Sequence, residues 1–278
     1  MKQFIALISI GLAACFLLES CGKSPVNESS KAGKLVLTGS STVAPLAAEI
    51  GKRFESQHPG VRVDVQSGGS SRGVTDARQG LADIGMVSRA LKDEEKDLQS
   101  FAIANDGVGI IVHKDNPIQS LSDAQVTSIY TGKVTNWKNV GGKDGTITVV
   151  SKAEGRSTLE LFTHYFKLKN SDIKAQVIVG DNEQDIKTVV GNLNAIAYVS
   201  IGTAEYGITR GTPIKLLPVS GISATTEDVK NGTFPISRSL NLVTKTQPEG
   251  LAKEFIDFAQ STEVQDIVKE QNFVPLSK

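Results

Sequence analysis

A chain of 278 residues, 39% of them hydrophobic, is long enough for one large domain or two modest ones. Lys plus Arg and Asp plus Glu both number 30, and the resulting neutrality excludes the basic field with which nucleic-acid binders grip phosphates. Any anion site must therefore come from local geometry and not from a global positive field.

The N-terminus is legible on its own. Lys2 supplies a short positive region, and Phe4 to Leu18 is almost wholly apolar, the length of a signal-peptide core and short for a membrane span. Leu18-Glu19-Ser20-Cys21 then resembles the box at which bacterial lipoproteins are cleaved and lipidated. Leu12-Ala13-Ala14-Cys15 also fits that box, but it leaves a very short apolar core and an apolar mature end. Residues 1–20 are thus expected to be a lipoprotein signal peptide, Cys21 the lipidated residue and 21–33 a polar tether containing Pro25. Several acyl chains, at about 0.8 kcal/mol per buried CH₂, would anchor the chain to a membrane. An uncleaved membrane anchor is the other reading. The two cysteines both lie here, so no disulfide or thiol chemistry is expected of the body.

After the tether, strand and helix patterns alternate. Leu35 to Leu37 reads as a strand, and Leu46, Ala47, Ile50 and Phe54 form one face of a helix over Ala44–Gln57 that Pro59-Gly60 stops. Val61, Val63 and Val65 alternate as a strand does. Val74, Ala77 and Leu81 predict a helix, and Ile84–Val87 and Val108–Val112 predict strands. Asp115-Asn116-Pro117 is a natural crossing point between two sheets. Ser122 with Gln125 predicts a capping box for a helix reaching Tyr130. Ile147–Val150, Val177–Val179, Ile196–Val199 and Leu240–Val243 read as further strands, and Leu251–Ala259 and Val264–Lys269 as closing helices. This alternation implies an α/β protein with mostly parallel sheet covered on both faces.

Three strand–loop–helix junctions share one grammar. They are Leu37-Thr38-Gly39-Ser40-Ser41-Thr42-Val43, Val65-Gln66-Ser67-Gly68-Gly69-Ser70-Ser71-Arg72-Gly73 and Val150-Ser151-Lys152-Ala153-Glu154-Gly155-Arg156-Ser157-Thr158. A helix start offers unpaired N–H groups and partial positive charge, Gly permits close approach, and Ser and Thr add hydroxyl donors. Ser and Thr are also ordinary N-caps, so one such loop signifies little. Three in one chain, two carrying Lys or Arg, point to an oxyanion. A fourth segment, Asp83 to Arg89, ends a strand with Ser88 and Arg89. Four to six hydrogen bonds to a charged ligand, each worth about 1.5–3 kcal/mol, reach the roughly 8 kcal/mol of micromolar binding, so no metal or cofactor is required. Catalysis is not expected. His164 follows Ser157 by seven helical residues, about 10 Å of rise, which is too far for a nucleophile–base pair. His58 and His113 read as surface or capping residues, Trp137 as packing, Asp106 as a turn residue and Lys92–Lys96 as a solvated helix face.

At these same loops the sequence resembles the phosphate-binding proteins of high-affinity ABC phosphate importers, a branch of the type II periplasmic binding proteins. Gly39 to Pro45, Gly69-Ser70-Ser71-Arg72-Gly73 and Asp83-Ile84-Gly85 with Ser88-Arg89 carry the likeness, with Trp137, Gly141-Gly142, Phe234-Pro235-Ile236-Ser237-Arg238 and Asn272 to Leu276. The resemblance implies two α/β lobes, 34–109 with 239–278 and 110–238, and phosphate in the cleft between them. It further implies an extracytoplasmic monomer delivering phosphate to ABC permease subunits from a periplasmic or cell-surface position. The implied ligand residues are Ser41, Thr42, Ser70, Ser71, Ser88, Arg89, Lys152, Arg156, Ser157 and Thr158. Lys152 stands where the family has Arg, Arg156 where it has Ser, and Ser88 where members often place an Asp that accepts phosphate's proton. Sulfate, molybdate or tungstate are therefore alternative cargoes, and a sensor without transport or a hydrolase are further alternatives.

Overall fold

Leu35 and Leu37, both buried, anchor β1 (Gly33–Gly39) in a computed structural model that describes residues 33–276. Cys15, Cys21 and the expected signal peptide lie outside the described residues. In α1 (Val43–Gln57) the predicted stripe of Leu46, Ala47, Ile50 and Phe54 is buried. Complete burial of a side chain such as Phe54 contributes about 1.5–3 kcal/mol. β2 (Val61–Ser67) pairs with β1 in parallel, and α2 (Ser70–Gln79) follows. That helix is shorter than Val74, Ala77 and Leu81 predict. Gly80 closes it with φ +71°, which leaves Leu81 66% exposed. β3 (Ile84–Val87) is buried throughout.

The next strand departs furthest from the sequence pattern. Only Val108–Val112 reads as extended, because Asn105, Asp106 and Gly107 break the pattern before it, yet β4 runs unbroken over Gln99–His113. Asp115-Asn116-Pro117 forms the turn region after it. Then come α3 (Asp123–Tyr130), β5 (Thr148–Lys152), α4 (Ser157–Phe166), β6 (Val177–Val179), α5 (Asn182–Gly191), β7 (Ala195–Ser200), α6 (Ile201–Thr209), β8 (Ile214–Leu217), α7 (Thr226–Lys230), β9 (Ser237–Thr244), α8 (Gly250–Ala259) and α9 (Gln265–Glu270). The capping box forms as predicted: Ser122 Oγ accepts from Gln125 N at 3.2 Å, and Gln125 Oε1 accepts from Ser122 N at 2.8 Å. No helix among the described residues is long and apolar enough to cross a membrane.

The strands line up as β2-β1-β3-β9-β4-β7-β5-β6, with β8 also on β4. β1–β2, β1–β3, β5–β6 and β5–β7 are parallel, whereas β4 and β9 run antiparallel to their neighbours. β4 pairs with β9 over Gln99–Gly107 and with β7 and β8 over Val108–His113, so the change of partner falls between Gly107 and Val108. A register shift between Ala102 and Ala104 leaves Ile103 unpaired in the β4–β9 ladder, and beyond it Asp106 stands opposite Arg238. One core packs Leu37, Phe54 and Phe255 beneath β1, β3 and β9. Another packs Trp137, Tyr130, Phe162 and Tyr198, with the last two rings stacked 4.0 Å apart.

Candidate oxyanion-binding site

The starts of α1, α2 and α4 converge through hydroxyls in and before their first turns, and the start of α5 joins them through the amide of Asn182. Gly39 makes the first loop possible: at φ +133°, a Cβ would come 2.2 Å from Met86 O. Ser40 Oγ then accepts from Thr42 N (3.2 Å) and Val43 N (3.3 Å), holding the start of α1. In the second loop Gly68 N and Gly69 N both donate to Gly39 O, at 2.7 and 2.8 Å, which ties the start of α2 to that of α1. Ser71 N donates to Gly155 O at 3.1 Å and joins the second loop to the third.

Ser40 Oγ donates to Ser88 Oγ (2.8 Å), Ser70 Oγ donates to Ser157 Oγ (3.0 Å), and Ser88 Oγ and Ser157 Oγ lie 2.5 Å apart. Arg238 enters this cluster from β9. Its Nη1 donates to Thr158 Oγ1 (3.1 Å) and Ser88 Oγ (3.4 Å), and its Nη2 to Thr42 Oγ1 (3.1 Å). Asp106 holds the guanidinium from behind, accepting at Oδ2 from Nε (3.0 Å) and Nη2 (2.7 Å), while Oδ1 accepts from Gly202 N at 3.1 Å. Asn182, the first residue of α5, donates from Nδ2 to Thr42 Oγ1 at 3.0 Å. Ser40, Thr42, Ser70, Ser88, Ser157, Thr158, Asn182, Asp106 and Arg238 are all buried.

The direction of these bonds decides what the cluster can do. Thr42 Oγ1 receives protons from Arg238 and Asn182, which fills its two acceptor positions and leaves its own proton for donation. Ser40 Oγ receives two backbone N–H groups and Ser70 Oγ receives Ser88 N at 3.1 Å. Ser40 and Ser70 spend their own protons on Ser88 and Ser157, whereas Thr42 and Thr158, which accept from Arg238, keep theirs to donate beside the guanidinium at the positive ends of helices. Such an arrangement suits a compact oxyanion.

Of the residues the sequence singles out, Thr42, Ser70, Ser88, Ser157 and Thr158 meet in this cluster. Ser41 and Ser71 are half-buried beside it and take no part in these side-chain bonds. Arg89 is engaged elsewhere. Nη1 and Nη2 donate to the Glu95 carboxylate at 2.6 and 2.8 Å, and Nε makes a 2.8 Å ionic contact with Glu160 without hydrogen-bond alignment. Burial pulls the Arg89 pKa down, but these two carboxylates outweigh it and the net shift is upward. Glu95 is therefore a buried partner, not part of a solvated face, because the guanidinium it binds is itself buried. Lys152 is likewise committed: its ammonium pairs with Asp185 in full burial. Burial lowers the Lys152 pKa and pushes the Asp185 carboxyl up to about 7, in each case against the pull of the partner. Arg156 is half-buried with Nη1 unpartnered, and burial lowers its pKa against the opposing charge of Asp181.

Sequence reasoning missed Ser40, Asn182, Asp106 and Arg238 as members of the cluster. Asp106 is a strand residue and not a turn residue, and it meets Arg238 through the β4–β9 register, 132 positions away. That pairing leaves no periodic trace in a single sequence. The signal for Asn182 was local: it directly follows Asp181, whose side chain caps α5.

The model of the PBP superfamily domain matches residues 24–263. A Bacillus subtilis protein named phosphate-binding protein PstS is 27% identical over 291 residues, spanning 99% of this chain and 95% of its own length. Its namesake from Borreliella burgdorferi is 28% identical and spans 99% of each chain. A phosphate-bound crystal structure from Clostridium perfringens, assigned as a phosphate ABC transporter substrate-binding protein, superposes with a TM-score of 0.81 at 35% identity, covering 88% of this chain and 100% of that one. An ABC-type phosphate transport receptor from Vibrio cholerae gives a TM-score of 0.71 at 28% identity, covering 87% and 100%. With its mixed α/β sheet and buried hydroxyl cluster, the chain belongs to the PBP superfamily as a PstS-like member.

Proposed function

We propose that this protein captures inorganic phosphate outside the cytoplasm and delivers it to an ABC-type importer. The observation that carries this reading is the buried ring of Thr42, Ser70, Ser88, Ser157 and Thr158 around the Arg238 guanidinium. The names of its relatives, above all the phosphate-bound one, support phosphate as the cargo. Thr42, Ser70, Ser88, Ser157, Thr158 and Arg238 are the proposed direct contacts. Ser41 lends a backbone donor, Ser71 fastens the second loop to the third through Gly155 O, and Arg156 closes the rim. Arg89 and Lys152 act through their carboxylate partners. The protein acts by binding and not by catalysis: Ser157 hydrogen-bonds Ser70 and Ser88, the pattern of a ligand cradle and not of an activated nucleophile.

The working form is a monomer with lobes 34–109 plus 239–278 and 110–238. It is held at the periplasmic or cell-surface side of a membrane by lipid on Cys21 and the tether to residue 33. Titration calorimetry of the full chain with inorganic phosphate tests the reading. Micromolar or tighter binding is expected, and a titration without heat at millimolar phosphate would sink it. A fully ionised oxyanion such as sulfate is the second reading. It is favoured by one observation: Asp106, the only carboxylate among the described residues hydrogen-bonded into the cluster, has both oxygens engaged.

A further inference from the structure

Phosphate near neutral pH still carries at least one proton, and sulfate carries none. A site tells them apart only if it offers an acceptor to that proton. The cluster is short of acceptors. Asp106 Oδ1 receives Gly202 N and Oδ2 receives two N–H groups of Arg238. The other carboxylate on α5, Asp185, spends Oδ2 on the Lys152 ammonium, and its Oδ1, though unpartnered, makes no hydrogen bond to the cluster. Ser40, Thr42 and Ser70 accept from N–H groups already.

Asn182 differs in being hydrogen-bonded into the cluster while keeping an unpartnered oxygen. It is 2% exposed and its Nδ2 bonds Thr42 Oγ1 at 3.0 Å, so its amide belongs to the cluster. A longer contact of 3.4 Å joins the same Nδ2 to Thr203 Oγ1. Its Oδ1 is buried and has no hydrogen-bond partner. A buried amide oxygen without a donor costs on the order of 1–3 kcal/mol, so its retention calls for a function.

We propose that Asn182 sets the cargo preference of this site, its amide oxygen accepting the proton of a protonated phosphate oxygen. The inference rests on the phosphate reading above and deepens it. An amide oxygen carries no charge, so it rewards a protonated anion without strongly repelling a dianion. The preference for phosphate over sulfate is therefore moderate. It is set by one neutral hydrogen bond and not by charge repulsion.

The test is calorimetry of the full chain with inorganic phosphate and with sulfate at one neutral pH, on the unsubstituted protein, Asn182→Ala and Asn182→Asp. Asn182→Ala should lose about fivefold to tenfold in phosphate affinity, the worth of one buried hydrogen bond, and clearly less for sulfate, so the preference narrows. Asn182→Asp adds a charge that a proton-bearing phosphate can satisfy and sulfate cannot, so the preference widens whatever happens to absolute affinity. Circular dichroism checks that both variants fold, and the near-isosteric Asp variant carries the test if the Ala variant does not. A phosphate-to-sulfate ratio that stays fixed in the folded variants, or moves the other way, overturns the role of Asn182 alone. An unsubstituted chain that takes up neither anion overturns the phosphate reading with it.

Discussion

At the scale of single residues, Arg238 is the decisive side chain. Its planar fork reaches Thr42 and Thr158 on different elements while Asp106 fixes its Nε and Nη2. Lysine would keep the charge but present one point donor in place of two aligned edges. We expect Arg238→Lys to weaken phosphate binding by about 1–3 kcal/mol while the chain still folds, as calorimetry and circular dichroism would show. Unchanged affinity would remove Arg238 from the site. The Lys152–Asp185 pair tests a different property. Each ion is buried, and each is driven toward its neutral form by that burial. Asp185→Ala strands an ammonium in the interior and should cost about 3–5 kcal/mol in urea unfolding. The double change Lys152→Met with Asp185→Leu should recover most of that loss. If the double variant is as unstable as the single one, the pair contributes more than mutual compensation.

At the scale of elements, Glu160 on α4 reaches two cations that precede β4. Its carboxylate contacts Arg89 Nε at 2.8 Å and Lys92 Nζ at 3.2 Å. These contacts fasten the start of α4 to the segment that carries Ser88, and thus hold Ser88 and Ser157 together. Glu160 is partly exposed, so each contact is worth at most about 1 kcal/mol and is screened by salt. Glu160→Gln should therefore lower phosphate affinity about threefold to tenfold and flatten its salt dependence, with little change in thermal midpoint. A variant with the parent's affinity and salt response would show that these ion pairs do not help to close the site. The elements themselves were largely legible, because α1 and α8 bury residues at helical spacing, as do Val264, Ile267 and Val268 at the start of α9, and β2 alternates in sequence. β4 was not, since its polar and glycine residues are tolerated only by partners in distant segments: Asp106 by Arg238, and Gly107 by Ile201 and Val229, whose side chains fill the space of a Cβ. Leu81 was misplaced because a single glycine, Gly80, ended α2 two residues before it.

At the scale of the whole molecule, the site was legible where it is local and hidden where it is assembled. Three loops announce hydroxyls and helix starts through Gly39, Gly69 and Gly155, all at positive φ. What those loops surround comes from elsewhere: Arg238 from the returning strand, Asp106 from the strand beside it and Asn182 from α5. Arg89 and Lys152, the cations that local reading favoured, are taken by Glu95 and Asp185, carboxylates whose proximity no spacing rule reveals. The skipped residue Ile103 then acquires a meaning of its own. Counting straight along the ladder from Gln99 opposite Thr244, with no residue skipped, would bring Arg238 opposite Asn105. Skipping Ile103 advances the count by one and delivers the guanidinium to Asp106. One unmatched position in a sheet thus decides whether the central cation of the cluster faces a neutral amide or its counter-ion.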